Sequence, residues 1–471
     1  MDTLKTDPKK PGTNFTCNTE RCSVLFNCNT ERCSALYQPI NYQTMLKNLF
    51  LLTLLLAAIT STAQIPIPTL NYDEAQVPQY QLPDPLITIA GKKVTTKKTW
   101  EKIRRPELLK LFAENIYGKN PTQKLPNLKY QTVETDKNAL NGKATRKQID
   151  IILDPTHKWS LLIYIPNDAQ KPTPIFFGLN FLGNYAIHPD SAILVTTNWV
   201  YPDKDYPFSN QATGKLRGKD STAWQVEKII NRGYAIATMY AGDIDPDFDD
   251  GFQNGLHPLF YTNGQTKPKP DEWGTLGAWA YGMSRVMDYL QTDPDIDPKK
   301  VVLIGHSRLG KATIWAGAQD PRFAMLISNE SGEGGAALAR RLYGERTINL
   351  NTQFPHWFCK NFHQFNQREN DLPVDQHELI ALIAPRPVYI ASAEDDRWSD
   401  PKGEFLAAYE AGKVYQLYNL KGLPNNTMPQ PNQPITGNQI GYHIRSGKHN
   451  VLAYDWEQYL NFADAHFKII K

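Results

Sequence analysis

Short apolar runs of strand type, alternating with helical patterns, constrain this chain more than any other feature. Residues 149–153 (Ile-Asp-Ile-Ile-Leu) and 161–165 (Leu-Leu-Ile-Tyr-Ile) read as paired strands. Residues 174–178, 234–238, 301–304 and 387–391 are continuous apolar runs, the pattern of strands buried on both faces. Between them, 223–231 and 276–290 carry helical spacing. This alternation predicts an α/β architecture, with a mostly parallel central sheet in a three-layer sandwich. No linker-like stretch interrupts it, so one large domain is expected over 99–471. Its last strand is expected at 415–418, before a loop at 425–438 crowded with Pro, Asn and Gln.

The N-terminal region reads differently. An apolar run at 49–59 is too short to span a bilayer comfortably, is preceded by Lys47, and is followed by Ser61-Thr62-Ala63. That is the pattern of a signal peptide over 45–63, starting at Met45 and cleaved near Ala63. Residues 1–44 contain the tandem repeat Cys-Asn-Thr-Glu-Arg-Cys-Ser, whose paired Cys17, Cys22, Cys28 and Cys33 superficially suit a metal knuckle. A start-site artefact is the stronger reading of that segment. Residues 64–98, rich in Pro and polar side chains, read as an extended arm.

Composition matters mainly for the 408 residues beyond Ala63. The first 63 residues hold six of the 51 Lys and Arg and four of the 48 Asp and Glu, leaving 45 against 44. A nearly neutral chain has no basic excess for nucleic acid or an anionic membrane, and neither is an expected partner once the signal is removed. Only Cys359 remains beyond Ala63, so no intramolecular disulfide is available. The expectation is a monomer, secreted or periplasmic, stabilised by a large core. The 11% aromatic content suits a core and also suits stacking on sugar rings.

The richest stretch in chemistry is Val301-Val302-Leu303-Ile304-Gly305-His306-Ser307-Arg308-Leu309-Gly310-Lys311. A buried strand, then Gly-x-Ser, then a helix start is the arrangement of a nucleophile elbow, which makes Ser307 the candidate nucleophile. A serine needs a base, and the base an orienting acid. His449 lies in a Gly-containing loop just before the final helical pattern, with His443 as the alternative; His466 falls within that helical pattern. Glu330 follows the strand expected at 323–328, and Asp395 and Asp396 follow the strand at 387–391. Spacing alone leaves the acid open.

These segments resemble the glucuronoyl esterases, a carbohydrate-esterase family of the α/β-hydrolase fold. Gly305-His306-Ser307-Arg308-Leu309-Gly310-Lys311 is similar to the family's Gly-x-Ser-Arg-x-Gly-Lys signature, and Asn329-Glu330-Ser331-Gly332 to its acid segment. Residues 178–181, 243–251 and 277–285 corroborate it, and the similarity runs from about residue 99 to the C-terminus. The resemblance implies a serine esterase cleaving the ester between 4-O-methyl-glucuronic acid of glucuronoxylan and lignin alcohols, with those lignin–carbohydrate esters as its partners. It implies Ser307 as nucleophile, His449 as base, Glu330 as acid, and Arg308 as oxyanion donor. Lys311, Glu345 and Trp398 match positions that hold the sugar. Fungal members carry Cys in place of His306 and lock the site with a disulfide, which this chain cannot form. Some bacterial members place an acid after the later strand, which keeps Asp396 as an alternative. Acetyl esters of xylan, or sugar binding without catalysis, are the rival functions.

Weaker readings compete at several positions. Lys311 suits a solvated helix start, Glu345 a pair with Arg340, Arg341 or Arg346, and Trp398 a core position. The acidic stretch 243–251 lacks the frame of a calcium loop and reads as carboxylates capping backbone amides. No cofactor and no metal is expected.

Overall fold

The computed structural model describes residues 67–121, 125, 128–201 and 210–468. The expected signal peptide, the cysteine repeat before it and the first residues of the arm lie outside the described residues.

Nine strands form one sheet: β1 Lys129–Ala139, β2 Ala144–Ile152, β3 Lys158–Pro166, β4 Thr173–Asn180, β5 Ala235–Tyr240, β6 Ile296–His306, β7 Met325–Asn329, β8 Val388–Ala393 and β9 Ile440–Arg445. Their order is β1-β2-β3-β5-β4-β6-β7-β8-β9. The first three pair antiparallel, with Ile149 opposite Leu161, and β3 joins β5 antiparallel. From β5 to β9 every neighbouring pair is parallel. Every residue of β4, β5, β7, β8 and β9 is buried, as parallel strands covered on both faces require.

Four long helices serve the site: α1 Thr275–Leu290, α2 Arg308–Gln319, α3 Pro401–Gln416 and α4 Ala453–Phe467. The two-residue period of β6 divides its side chains between two cores. Val301 and Leu303 pack in one with Trp279 of α1 and Trp315 of α2. Val302 and Ile304 pack in the other with Trp456 and Leu460 of α4. The expected three-layer sandwich is therefore present.

The strand expected at 415–418 is not there. Tyr415 ends helix α3, whose buried residues include Phe405, Ala408, Ala411 and Tyr415, and the last strand is β9. A stretch as short as Tyr-Gln-Leu-Tyr does not show whether it continues a helical stripe. Here it continues the stripe begun at Phe405.

The described part of the arm is pinned along the domain. The Asn71 carbonyl accepts from the Gly344 amide at 2.9 Å, Glu74 pairs with Arg341 and Lys402, and His377 reaches the Pro83 carbonyl at 2.9 Å. Among the described residues, no helix is long and apolar enough to cross a membrane.

The register sets the site. His306, Asn329, Ala391 and His443 lie in line across β6, β7, β8 and β9. Ser307, Glu330 and Asp396 therefore leave adjacent strands at one edge of the sheet. His449 follows β9 at that same edge, where sites of parallel α/β sheets form.

Candidate active site

Ser307 occupies the turn between β6 and α2 with φ 57° and ψ −130°, a conformation that L-residues rarely adopt. Gly305 makes the turn possible. A Cβ there would meet the Leu309 carbonyl oxygen at 2.3 Å and Thr313 Oγ1 at 2.4 Å. Gly310 has a packing role, since a Cβ there would sit 3.0 Å from the Ser331 Cβ. The Ser307 amide donates to the Asn329 carbonyl at 2.9 Å, which ties the elbow to the strand leading to Glu330. Arg308 opens α2, and the leading amides of a helix have no intrahelical acceptor.

His449 meets two carboxylates. Its Nδ1 lies 2.7 Å from Asp396 Oδ2 and 3.1 Å from Glu330 Oε2. The Asp396 contact has hydrogen-bond geometry. Glu330 is itself in the left-handed region (φ 49°) and accepts the Asn450 amide at 2.9 Å and Arg445 Nη2 at 2.6 Å. Burial alone would lower the pKa of His449, but hydrogen bonds to Asp396 and Glu330 outweigh it and push the value up to about 10. Burial raises the Glu330 carboxyl, with the His449 contact opposing it.

His306 packs against His449 with ring centroids 4.4 Å apart, and its Nδ1 accepts from Asn329 Nδ2 at 2.8 Å. Burial, and then the charge of His449, hold its pKa well below the ordinary imidazole value, so His306 stays neutral. Among the described residues, His306, Glu330 and His449 are the group whose ligand atoms come within 4.8 Å of one another. Arg445 on Glu330 and the second carboxylate on His449 give this group the partners of a proton-handling set.

Two cavities meet at Ser307, and Arg308 and His449 line both of them. One, of about 370 Å³, has charged side chains in its wall, with Lys311, Glu330, Glu345 and Asp396 beside Phe354, Trp357 and Trp398. Lys311 Nζ donates to Glu345 Oε1 at 2.6 Å, and Trp398 Nε1 donates to Glu345 Oε2 at 3.0 Å. Burial raises the Glu345 carboxyl, with the Lys311 ammonium opposing it. The other cavity, of about 390 Å³, is lined by Leu179, Phe181, Leu182, Trp224, Val451 and Trp456.

Known proteins are similar to this chain in sequence and fold. A family model for fungal glucuronyl esterases matches residues 222–419. A carbohydrate esterase from an unknown prokaryotic organism is 49% identical over 88% of this chain and 97% of its own length. The solved glucuronoyl esterase of Solibacter usitatus is 49% identical, with TM-score 0.79 over 83% of this chain and all of that one. The chain belongs to the glucuronoyl esterase family. It is a carboxylic ester hydrolase of the α/β-hydrolase fold. A more distant relative, the 4-O-methyl-glucuronoyl methylesterase of Neurospora crassa, is 28% identical over 76% of each chain.

Within this esterase, Ser307, Arg308, Lys311, Glu330, Glu345, Asp396, Trp398 and His449 all come together. Glu345 pairs with Lys311, whereas Arg340, Arg341 and Arg346 pair with Asp375, Asp400 and Glu369. His443 is not in a loop after the last strand. It is buried inside β9, bonded to Tyr389 and Asp455. His466 bonds the Phe462 carbonyl within α4, and Asp395 is exposed. Sequence reasoning missed Arg445, Asn329 and Asp247. An arginine ending an otherwise apolar buried strand was the one available signal, at Arg445.

Proposed function

We propose that this esterase hydrolyses the ester between 4-O-methyl-glucuronic acid of glucuronoxylan and lignin alcohols through a Ser307 acyl-enzyme. The observation that carries this reading is the pair of unlike cavities meeting at Ser307. An ester of a sugar acid with an aromatic alcohol has a hydroxyl-rich acyl part and an apolar leaving part. The cavity walled by charged residues suits the first: Glu345, held by Lys311 and Trp398, can accept from ring hydroxyls, and Trp398 adds aromatic surface. The apolar cavity suits the second. The activity named for the Neurospora relative agrees with the acyl side.

The proton path follows from the contacts. His449 takes the proton of Ser307 Oγ as the hydroxyl attacks the carboxyl carbon, and the imidazolium is held by Asp396 and Glu330. The Arg308 backbone N–H and guanidinium receive the negative charge that develops on the carbonyl oxygen. Arg308 lines both cavities beside Ser307, which supports that role. Collapse expels the alcohol, which takes the proton back from His449. Water then repeats the sequence on the acyl-enzyme, releasing the uronic acid. The proposal includes export through the segment ending at Ala63 and action as a monomer.

Turnover of benzyl glucuronate, methyl glucuronate and acetylated xylan by the same preparation tests the substrate. Benzyl glucuronate should be hydrolysed with the highest kcat/KM. Faster release of acetate from xylan would replace this reading, and a Ser307→Ala variant with unaltered turnover would remove the nucleophile.

A further inference from the structure

Arg308 is held from a direction the elbow motif does not predict. Its Nη1 donates to Asp247 Oδ2 at 2.6 Å across 61 residues of chain. The guanidinium lies over Trp357 at 4.7 Å and Phe354 at 5.2 Å from the ring centroids. The other oxygen of Asp247 accepts from Trp357 Nε1 at 2.8 Å and His356 Nε2 at 3.1 Å. Burial would raise this acid. The His356 hydrogen bond and the Arg308 charge outweigh that and keep the carboxyl below its ordinary range.

Both segments that grip Arg308 hang from the start of α1. The Thr275 and Leu276 amides donate to the carbonyls of His356 and Trp357 at 2.9 and 3.0 Å. Two residues before Asp247, the buried Asp245 accepts from Thr275 Oγ1 at 2.6 Å and His257 Nδ1 at 2.9 Å, and its carbonyl accepts from Trp279 Nε1 at 2.9 Å. Asp247 is thus fixed to the same helix that fixes the aromatic rings beside Arg308. An arginine fork held at one nitrogen and stacked on a ring has its plane set before substrate arrives. With Nη1 held by Asp247, the guanidinium keeps one orientation beside the two cavities that Arg308 lines.

We propose that Asp247 is the positioning residue of the oxyanion arginine: with Trp357 it locks the Arg308 guanidinium in the orientation that meets the developing charge. The proposal rests on the oxyanion role given to Arg308 above. It opposes a second effect, because a carboxylate beside the guanidinium also damps its charge. Orientation outweighs damping here, since prearranged donors act without reorganising during the reaction.

Steady-state kinetics with benzyl glucuronate on wild type, Asp247→Asn, Arg308→Ala and the double variant decide the matter. Loss of one oxyanion donor costs roughly 10²–10³ in kcat, and loss of its positioning residue should cost about 10- to 100-fold, with KM changed less than about threefold. In the Arg308→Ala background, Asp247→Asn should cost almost nothing further. An equal loss in both backgrounds, or a rise in kcat for the single variant, overturns the proposal for Asp247. Full kcat in Arg308→Ala counts against the oxyanion reading itself, which separates the two failures. Should Asp247→Asn not fold, Trp357→Phe removes one hydrogen bond to the same carboxylate and keeps an aromatic ring. It should lower kcat severalfold at constant KM, and an unchanged kcat there overturns the proposal equally.

Discussion

Arg445 donates to Glu330 at 2.6 Å while both side chains are 1% exposed. The same guanidinium reaches Asp455 through Nε at 2.9 Å and the carbonyls of Lys448 and Asn450 at 3.0 and 2.6 Å. The loop that carries His449 is therefore wrapped around a buried cation anchored in β9. Glu330, one of the two acids that face His449, is paired with that same cation.

Arg445→Ala should be the most damaging substitution outside the reacting groups. It removes the buried cation that Glu330 and Asp455 share, and breaking a buried pair by removing one partner costs about 3–5 kcal/mol. Urea unfolding should register that loss, together with a fall in kcat from the freed His449 loop. Wild-type stability in this variant would mean that the two acids are served by other groups.

The two carboxylates on His449 Nδ1 should behave as one unit. With Glu330→Gln, Asp396 remains at 2.7 Å; with Asp396→Asn, Glu330 remains at 3.1 Å. Each single variant should lose kcat moderately, and the double about 10⁴-fold, the scale for removing the acid of a Ser-His-acid triad. Kinetics of all three variants check this. A single variant as poor as the double would identify the sole orienting acid.

The pH profile should report the same pair. A histidine pKa raised to about 10 means that the neutral base appears only as pH rises, so kcat/KM should climb through the alkaline range. Asp396→Asn removes a group that stabilises the imidazolium, so its rising limb should move to lower pH. The stability that this charged contact supplies is fully present below the ordinary value of 6.5 and is lost as pH rises toward 10. Melting temperatures across that window should fall less in Asp396→Asn than in wild type. A rising limb that Asp396→Asn leaves in place would assign it to another group.

Legibility in the sequence followed the length scale of the information. The elbow was readable because strand, Gly305, Ser307 and helix start are contiguous, and His449 because its loop precedes α4. The grip of Asp247 on Arg308 and of Arg445 on Glu330 spans 61 and 115 residues, and no local pattern carries it. The acid stayed undecided between Glu330 and Asp396 because adjacent parallel strands deliver both to one imidazole. The failed strand at 415–418 shows the opposite limit. Local apolar character was read correctly, yet the register of the preceding helix decided the outcome.

Trp398→Phe should separate binding from chemistry. It removes the hydrogen bond to Glu345 Oε2 while keeping an aromatic ring in the cavity walled by charged residues. A buried carboxylate oxygen without its donor costs about 1–3 kcal/mol, so the wall of that cavity should loosen. KM for a glucuronate ester should rise severalfold with kcat within about threefold, values typical of lost ground-state binding. A collapse of kcat at constant KM would place Trp398 in the chemistry instead.

The arm has a consequence for the order in which this protein can become active. Glu74 meets Arg341, just before Glu345 in the chain, across 267 residues, and Pro83 meets His377 across 294. Contacts of such sequence separation close late, after most of the chain has been made. The earliest described residues to be synthesised are thus among the last to find their partners. A nascent or truncated chain that has formed the elbow at Ser307 still lacks the bracing that the arm gives to the segment before Glu345. Competence is deferred until the arm has met the segments around Arg341 and His377.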